Sequence, residues 1–226
     1  AAAIMPLLLT HGTQKKTRQE IDDTMAKLQA QWRISGSAGE LQISILCRKD
    51  AVNGVLTLLH EVLQEPAFSS EELEIIKRQS KDLLEKNKTE PGALANRLLQ
   101  RKLSPHLPTD VRYTPTFEES AERLNKLTIE DIKDLYKNIF GVGEAEVVVV
   151  GDFEPQIVSE HAKKILDLKS KVAFKKIETI AKTADKGEKL VIDTPDKENA
   201  MFMSGIVFPL KDSDPDFAGL AMADFI

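Results

Sequence analysis

Four histidines, one cysteine and scattered serines and carboxylates are the side chains of this chain that could relay a proton, attack a carbonyl or hold a metal. Their spacing removes most of those roles. His60-Glu61 and Glu160-His161 are adjacent pairs on helical patterns, and neighbours in a helix point to different sides, so neither pair can share one metal. His11 follows a short helical segment and is expected to bond its last carbonyls. His106 sits in a proline-rich connection and is expected to be exposed. Cys47 lies in an alternating apolar stretch with Arg48 as its one basic neighbour, pointing to the other face; it reads as a packed thiol, and a lone cysteine forms no intramolecular disulfide. Ser35, Ser37 and Ser44 fall in a hairpin pattern rather than on a strand-to-helix elbow, which disfavours a serine nucleophile. Gly141-x-Gly143 lacks a third glycine and precedes a strand pattern, so it reads as a turn and not a nucleotide loop. Glu71, Glu72 and Glu74 open a helix, where the dipole favours them.

The elements that must carry these residues follow from periodicity. Residues 1–9 read as the last turns of a helix, with Pro6 tolerated near an end. Thr17-x-x-Glu20 is a capping box, and Ile21, Met25 and Leu28 follow on one helical face. Between Trp32 and Cys47 the period becomes two: Trp32 and Ile34, then Leu41, Ile43 and Ile45, form a hairpin around residues 36–40. Asp50 is expected to cap a helix with Val52, Val55, Leu56, Leu59 and Leu63 inward, ended by Pro66. Ser69-x-x-Glu72 caps a long charged helix to about Asn87, and another follows Pro91. A proline-rich connection spans residues 104–116, and helices begin near Thr116 and Thr128. Residues 145–150 read as a buried strand, and Pro155 as the first residue of a further helix. Residues 189–193 and 200–208 read as two more strands, and Asp214-Pro215 opens a last helix.

This order predicts an α+β fold, an antiparallel-rich sheet packed against several helices. The expected organisation is a domain over residues 1–172 that lacks its first strands, a lysine-rich linker over 173–187, and the truncated start of a second, similar domain over 188–226. Both ends read as those of a fragment, and the start carries no secretory pattern. A net charge of −5 and 5% aromatic residues argue against nucleic acid and anionic membrane surfaces as partners. One cysteine suits the cytosol and leaves the periplasm open, so the compartment stays undetermined.

Five stretches, in register, resemble the pitrilysin/insulinase family of zinc peptidases: Gly12-Thr13 with Arg18 to Ile21; Gly36-Ser37-Ala38; Leu58 to Phe68, which ends in Pro66-Ala67-Phe68; Leu127-Thr128-Ile129-Glu130-Asp131-Ile132; and Val148-Val149-Val150-Gly151-Asp152. Order and spacing match over residues 1–168, and residues 198–226 are similar to the opening of the next domain in such proteins. The resemblance implies two bowl-shaped halves, each of two similar α+β domains with the LuxS/pitrilysin-like fold. They enclose a chamber for unfolded peptides, and one half carries zinc.

In that family an inverted motif, His-x-x-Glu-His, precedes the Gly-Thr pair; its histidines bind zinc and its glutamate activates the zinc-bound water. Carried onto this sequence, the histidine positions hold Ala3 and Leu7, and the glutamate position holds Pro6. The third ligand would fall at residues 83–85, where Glu85 stands without histidine partners. The expectation is therefore a non-catalytic half, with no catalytic residue, no metal and no cofactor of its own. Zinc is expected in a partnering half, in the same chain or a separate subunit. Peptide is the expected substrate, held by residues beyond Ile226. The alternative is a pseudopeptidase serving as a scaffold or assembly component.

Overall fold

The computed structural model describes residues 1–177 and 187–223. Residues 178–186, most of the expected lysine-rich linker, and residues 224–226 lie outside the described residues. The chain forms two compact units, one of Ala1–Lys81 with Arg123–Ile177, the other of Asp82–Glu122 with Glu178–Ile226.

The first unit opens with α1 (Met5–Leu9) and α2 (Arg18–Lys27). The capping box is complete: the Thr17 side chain accepts from Glu20 N, and the Glu20 carboxylate accepts from Thr17 N at 2.8 Å. At the other end of α2, Gln29 turns to φ +51°, with Gln29 N donating to Ala26 O and Ala30 N to Met25 O. This left-handed ending redirects the chain into β1 (Gln31–Ser37). β1 pairs antiparallel with β2 (Glu40–Leu46) in the register Trp32↔Ile45, Ile34↔Ile43, Gly36↔Leu41. One face therefore carries all the alternating apolar residues, as period two demands.

α3 (Val52–Gln64) is the central helix, burying Val55, Leu58, Leu59, Val62 and Leu63. Asp50 does not cap it; a 3-10 turn over Lys49–Ala51 precedes the helix, and Asp50 pairs with Arg48 instead. α4 (Ser70–Asn87) starts with Ser69 Oγ accepting from Glu71 N at 3.1 Å, and buries Leu73 and Ile76. Lys77 is buried on the same helix because its ammonium donates to Leu127 O at 3.1 Å and pairs with Glu74 at 2.8 Å. Leu127 follows α6 (Phe117–Lys126) and precedes α7 (Ile129–Asn138), which has a second capping box, Thr128 with Asp131. α8 (Pro155–Leu166) packs on α3.

In the second unit, α5 (Pro91–Leu103) and the connection after it are held by two arginines. Arg97 donates to Pro115 O at 2.8 Å and to Ser120 Oγ at 3.0 Å, with its guanidinium 3.9 Å over the Phe117 ring. Arg101 donates to Thr114 O at 2.7 Å. His106 is enclosed rather than exposed, with 14% of its side-chain surface free and Asp110 3.7 Å away. Gly205 lies against Leu99 and Leu103 of α5, and α9 (Phe217–Ala223) closes the described chain.

The architecture is thus mixed, helices with one antiparallel two-stranded sheet among the described residues. The strands expected over 145–150, 189–193 and 200–208 carry no ladder. Val148 is 73% exposed and Phe202 86%. The β-branched and aromatic pattern reports fitness for a pleated, half-buried surface, and a strand forms only where a neighbour supplies that surface and its hydrogen bonds. No described helix is long and apolar enough to cross a membrane.

The capping box at α2 yields a stability prediction. Thr17→Ala should lower unfolding free energy by about 1 kcal/mol, whereas Gln19→Ala, on the exposed face, should change it by less than about 0.5 kcal/mol. Urea denaturation followed by circular dichroism measures both.

Candidate functional site

The resemblance places a ligand helix just before the Gly-Thr turn, at α1 and the residues around it. α1 has five residues and begins with Pro at its first turn. Ala3 lies in the turn before the helix and is exposed, and Leu7 is 41% exposed on its outer side. Pro6 is fully buried. It faces β1 at Gly36, where an added Cβ would come within 3.0 Å of Pro6 Cγ and 2.7 Å of Glu40 O. The position that the resemblance assigns to a glutamate thus holds an apolar ring pressed on a strand that only glycine lets so near. The end of α1 is capped by Thr10, whose hydroxyl donates to Leu7 O at 3.0 Å, and by the His11 backbone N–H donating to Leu8 O. The His11 imidazole does not serve there: its Nδ1 lies 2.7 Å from Glu72 Oε2, which also receives Arg18 Nη1 at 3.4 Å.

Gly12 follows with φ +138°, a value open to glycine, and bridges Thr17 across a tight turn. Thr13 is 5% exposed and forms the knot of the site. Its hydroxyl donates to Glu61 Oε1 at 2.7 Å while accepting from Lys15 N and Lys16 N. The second oxygen of Glu61 accepts from Lys16 Nζ, and Lys15 pairs with Glu65 one turn further along α3. Backbone bonds tie the same segment to the end of α3: Gln14 N to Glu65 O at 2.9 Å and Ala67 N to Gly12 O at 3.0 Å. Burial pushes the Glu61 carboxyl up, but hydrogen bonds from Lys16 and Thr13 and the charges of Lys16 and Lys15 outweigh it. The net pKa lies below the ordinary 4.5.

Charge-assisted hydrogen bonds join the turn to α3 through Glu61, and join His11 and α2 to α4 through Glu72. His11–Glu72 and Thr13–Glu61 are separate contacts, each closed by its own cation, Arg18 or Lys16. Among the described residues, no three His, Cys, Asp or Glu side chains converge as a metal would need. Glu85 lies exposed on α4 and pairs with Lys88 at 2.7 Å. His161 meets Asn53 Oδ1 at 2.8 Å through Nε2, with Nδ1 buried. Burial, then Lys164 and His60, hold its pKa below the usual 6.5. Cys47 is half-buried, and burial raises its pKa. The residues that sequence reasoning missed are Thr13, Lys16 and Glu61 as one unit. Glu61 is distant in sequence from the other two, and the available signal was Gly12-Thr13 with Lys15 and Lys16 close behind.

Two outcomes follow. Glu61 has a folded pKa below its unfolded value, so its contribution to stability is present above about pH 4.5 and lost as pH falls through the depressed value. Glu61→Gln should therefore be less stable than the parent near neutrality and should lose less stability on acidification, as urea titrations at several pH values would measure. Pro6→Glu should destabilise by about 3 kcal/mol or more, since it buries an unpaired carboxylate; Leu7→His, at the exposed position, should cost less than about 0.5 kcal/mol. Thermal melts of the two variants compare them directly.

Comparison with known proteins adds a family to this geometry. The sequence model described as "Peptidase M16 inactive domain" matches residues 126–226. A curated protein of Helicobacter pylori (strain ATCC 700392 / 26695), named "Non-peptidase homolog YmxG", is 24% identical over 226 residues, all of this chain and 51% of its own length. The chain therefore spans about half the length of the curated relative it matches. Among solved structures, the peptidase M16 inactive domain from Pseudomonas fluorescens superposes with a TM-score of 0.64 at 21% identity. That match covers 79% of this chain and 43% of the other, and shows that the fold is shared. Of the five stretches that carry the resemblance, Leu127 to Ile132 and Val148 to Asp152 lie within the residues that the sequence model matches.

Proposed function

We propose that this chain, a relative of the peptidase M16 inactive domain, is the non-catalytic part of a chambered zinc metalloendopeptidase. In this reading it closes the chamber against a zinc-bearing half and helps to bind peptide substrates. The observation that carries it is the filling of the family's ligand helix by Ala3, Pro6 and Leu7, with Pro6 buried against Gly36. A helix whose catalytic position is a packing residue has been given over to holding the fold. In this reading zinc sits in the other half, on the same polypeptide or on a partner subunit. The LuxS/pitrilysin-like sheet belongs to the same proposal: residues 145–150 would pair with strands that precede this chain in the whole protein, and residues 188–226 would begin a second, similar unit.

A second reading has its own support. The Helicobacter pylori relative is named a non-peptidase homolog, which favours a pseudopeptidase that keeps the fold as a scaffold or assembly component. The two readings differ in one respect, the presence of a zinc-bearing half.

The test is capture of the natural full-length protein from cells under native conditions, followed by mass spectrometry of the polypeptide and its stoichiometric partners. The chamber reading expects an intact His-x-x-Glu-His segment in one of them and peptidase activity in the complex. Absence of both would transfer the assignment to the scaffold reading.

A further inference from the structure

A groove of about 390 Å³ opens in the first unit between the segment after α3 and the last turns of α7. Its floor is Pro66, Phe68 and Tyr136. Phe68 is held at φ +46°, a costly backbone conformation for an aromatic residue. Its ring meets Tyr136 edge-on at 5.2 Å, and Tyr136 stacks on Phe140 at 5.2 Å. The Tyr136 hydroxyl donates to Leu63 O at 2.7 Å, which pins α7 to the end of α3. The floor is therefore fixed before any ligand arrives, which lowers the cost of ordering it on binding.

The rim has a different chemistry. Lys133 and Lys137 line it one helical turn apart, both exposed, and neither has an acidic partner among the described residues. Like charges at this spacing repel each other. The helix dipole accounts for Lys137 in the last turn of α7 but not for Lys133. Gln14 and Gln64 supply amides on the same groove. Unpaired cations over a rigid apolar floor match a ligand with a carboxylate beside an apolar side chain, and the volume suits a few side chains, not a folded partner.

We propose that this groove binds an acidic peptide segment, with a carboxylate side chain between Lys133 and Lys137 and an adjacent apolar side chain over Phe68 and Tyr136. The site does not depend on whether the protein faces a zinc-bearing half.

The test is fluorescence anisotropy of the full-length protein with a fluorescein-labelled peptide of alternating Glu and Leu, compared with one of alternating Gln and Leu. Binding should favour the Glu peptide by about tenfold or more and weaken with salt. The double variant Lys133→Gln/Lys137→Gln should weaken binding by about tenfold with an unchanged melting temperature, while Lys163→Gln/Lys164→Gln on α8 should not weaken it. Phe68→Leu, chosen to keep the fold, should weaken both peptides alike. Equal affinity for the two peptides, equal loss in both lysine double variants, or no binding would overturn the proposal. So would displacement of the Glu peptide by inorganic phosphate at concentrations where chloride does nothing, which would make it a simple anion site.

Discussion

The hydrogen bond from Thr13 to Glu61 fastens the turn after α1 to the central helix of the first unit. It takes a half-buried carboxylate on the central helix and gives it a hydroxyl donor on one oxygen and Lys16 on the other. Without these donors the carboxylate would be stranded at a cost of a few kcal/mol. With them, the turn after α1 is fixed to α3 and the chain is delivered in register to the capping box of α2. The positive φ of Gly12 is what allows the turn to approach closely enough. α1 then has one surface left to satisfy, and it does so with apolar side chains, Met5, Pro6, Leu8 and Leu9.

In the proposed reading, this clasp holds the fold together without a metal site. In a working site, polar groups on such a helix are left partly unsatisfied so that a metal and water can use them. Here Pro6, at the position the resemblance assigns to the glutamate, packs on Gly36, Ala3 and Leu7 are exposed, and the polar groups nearby are closed into pairs. A glutamate placed at position 6 would therefore meet a cost before it gained any function.

Much of this was legible in the sequence. The capping box at Thr17, the hairpin between Trp32 and Cys47 and the helix start near Thr128 follow from spacing, because each depends on residues within a few positions of one another. On α3 the expected Val55, Leu59 and Leu63 are buried, whereas Val52 and Leu56 stay partly exposed and Leu58 and Val62 take their place in the core. Asp50 was misread as a cap because Arg48, two residues away, offered its carboxylate a stronger partner. His11 was misread for a similar reason: Glu72, far along the chain, claims its ring. His106 looked like a loop residue and is enclosed by the network around Arg101 and Tyr113. The runs at 145–150 and 200–208 have strand composition without strand structure, since composition says what a segment would fit and not whether the partner is there. The Thr13–Glu61 clasp spans 48 positions, and no local pattern encodes such a contact.

In the proposed reading α1 packs the fold, through Met5, Pro6, Leu8 and Leu9, and holds no metal. The most direct measurement is zinc content, by elemental analysis after dialysis against a weak chelator, of the purified chain and of its His11→Ala and Glu72→Gln variants. The account predicts zinc far below one equivalent in all three. One equivalent in the parent chain, lost in either variant, would contradict it and identify His11 and Glu72 as metal ligands.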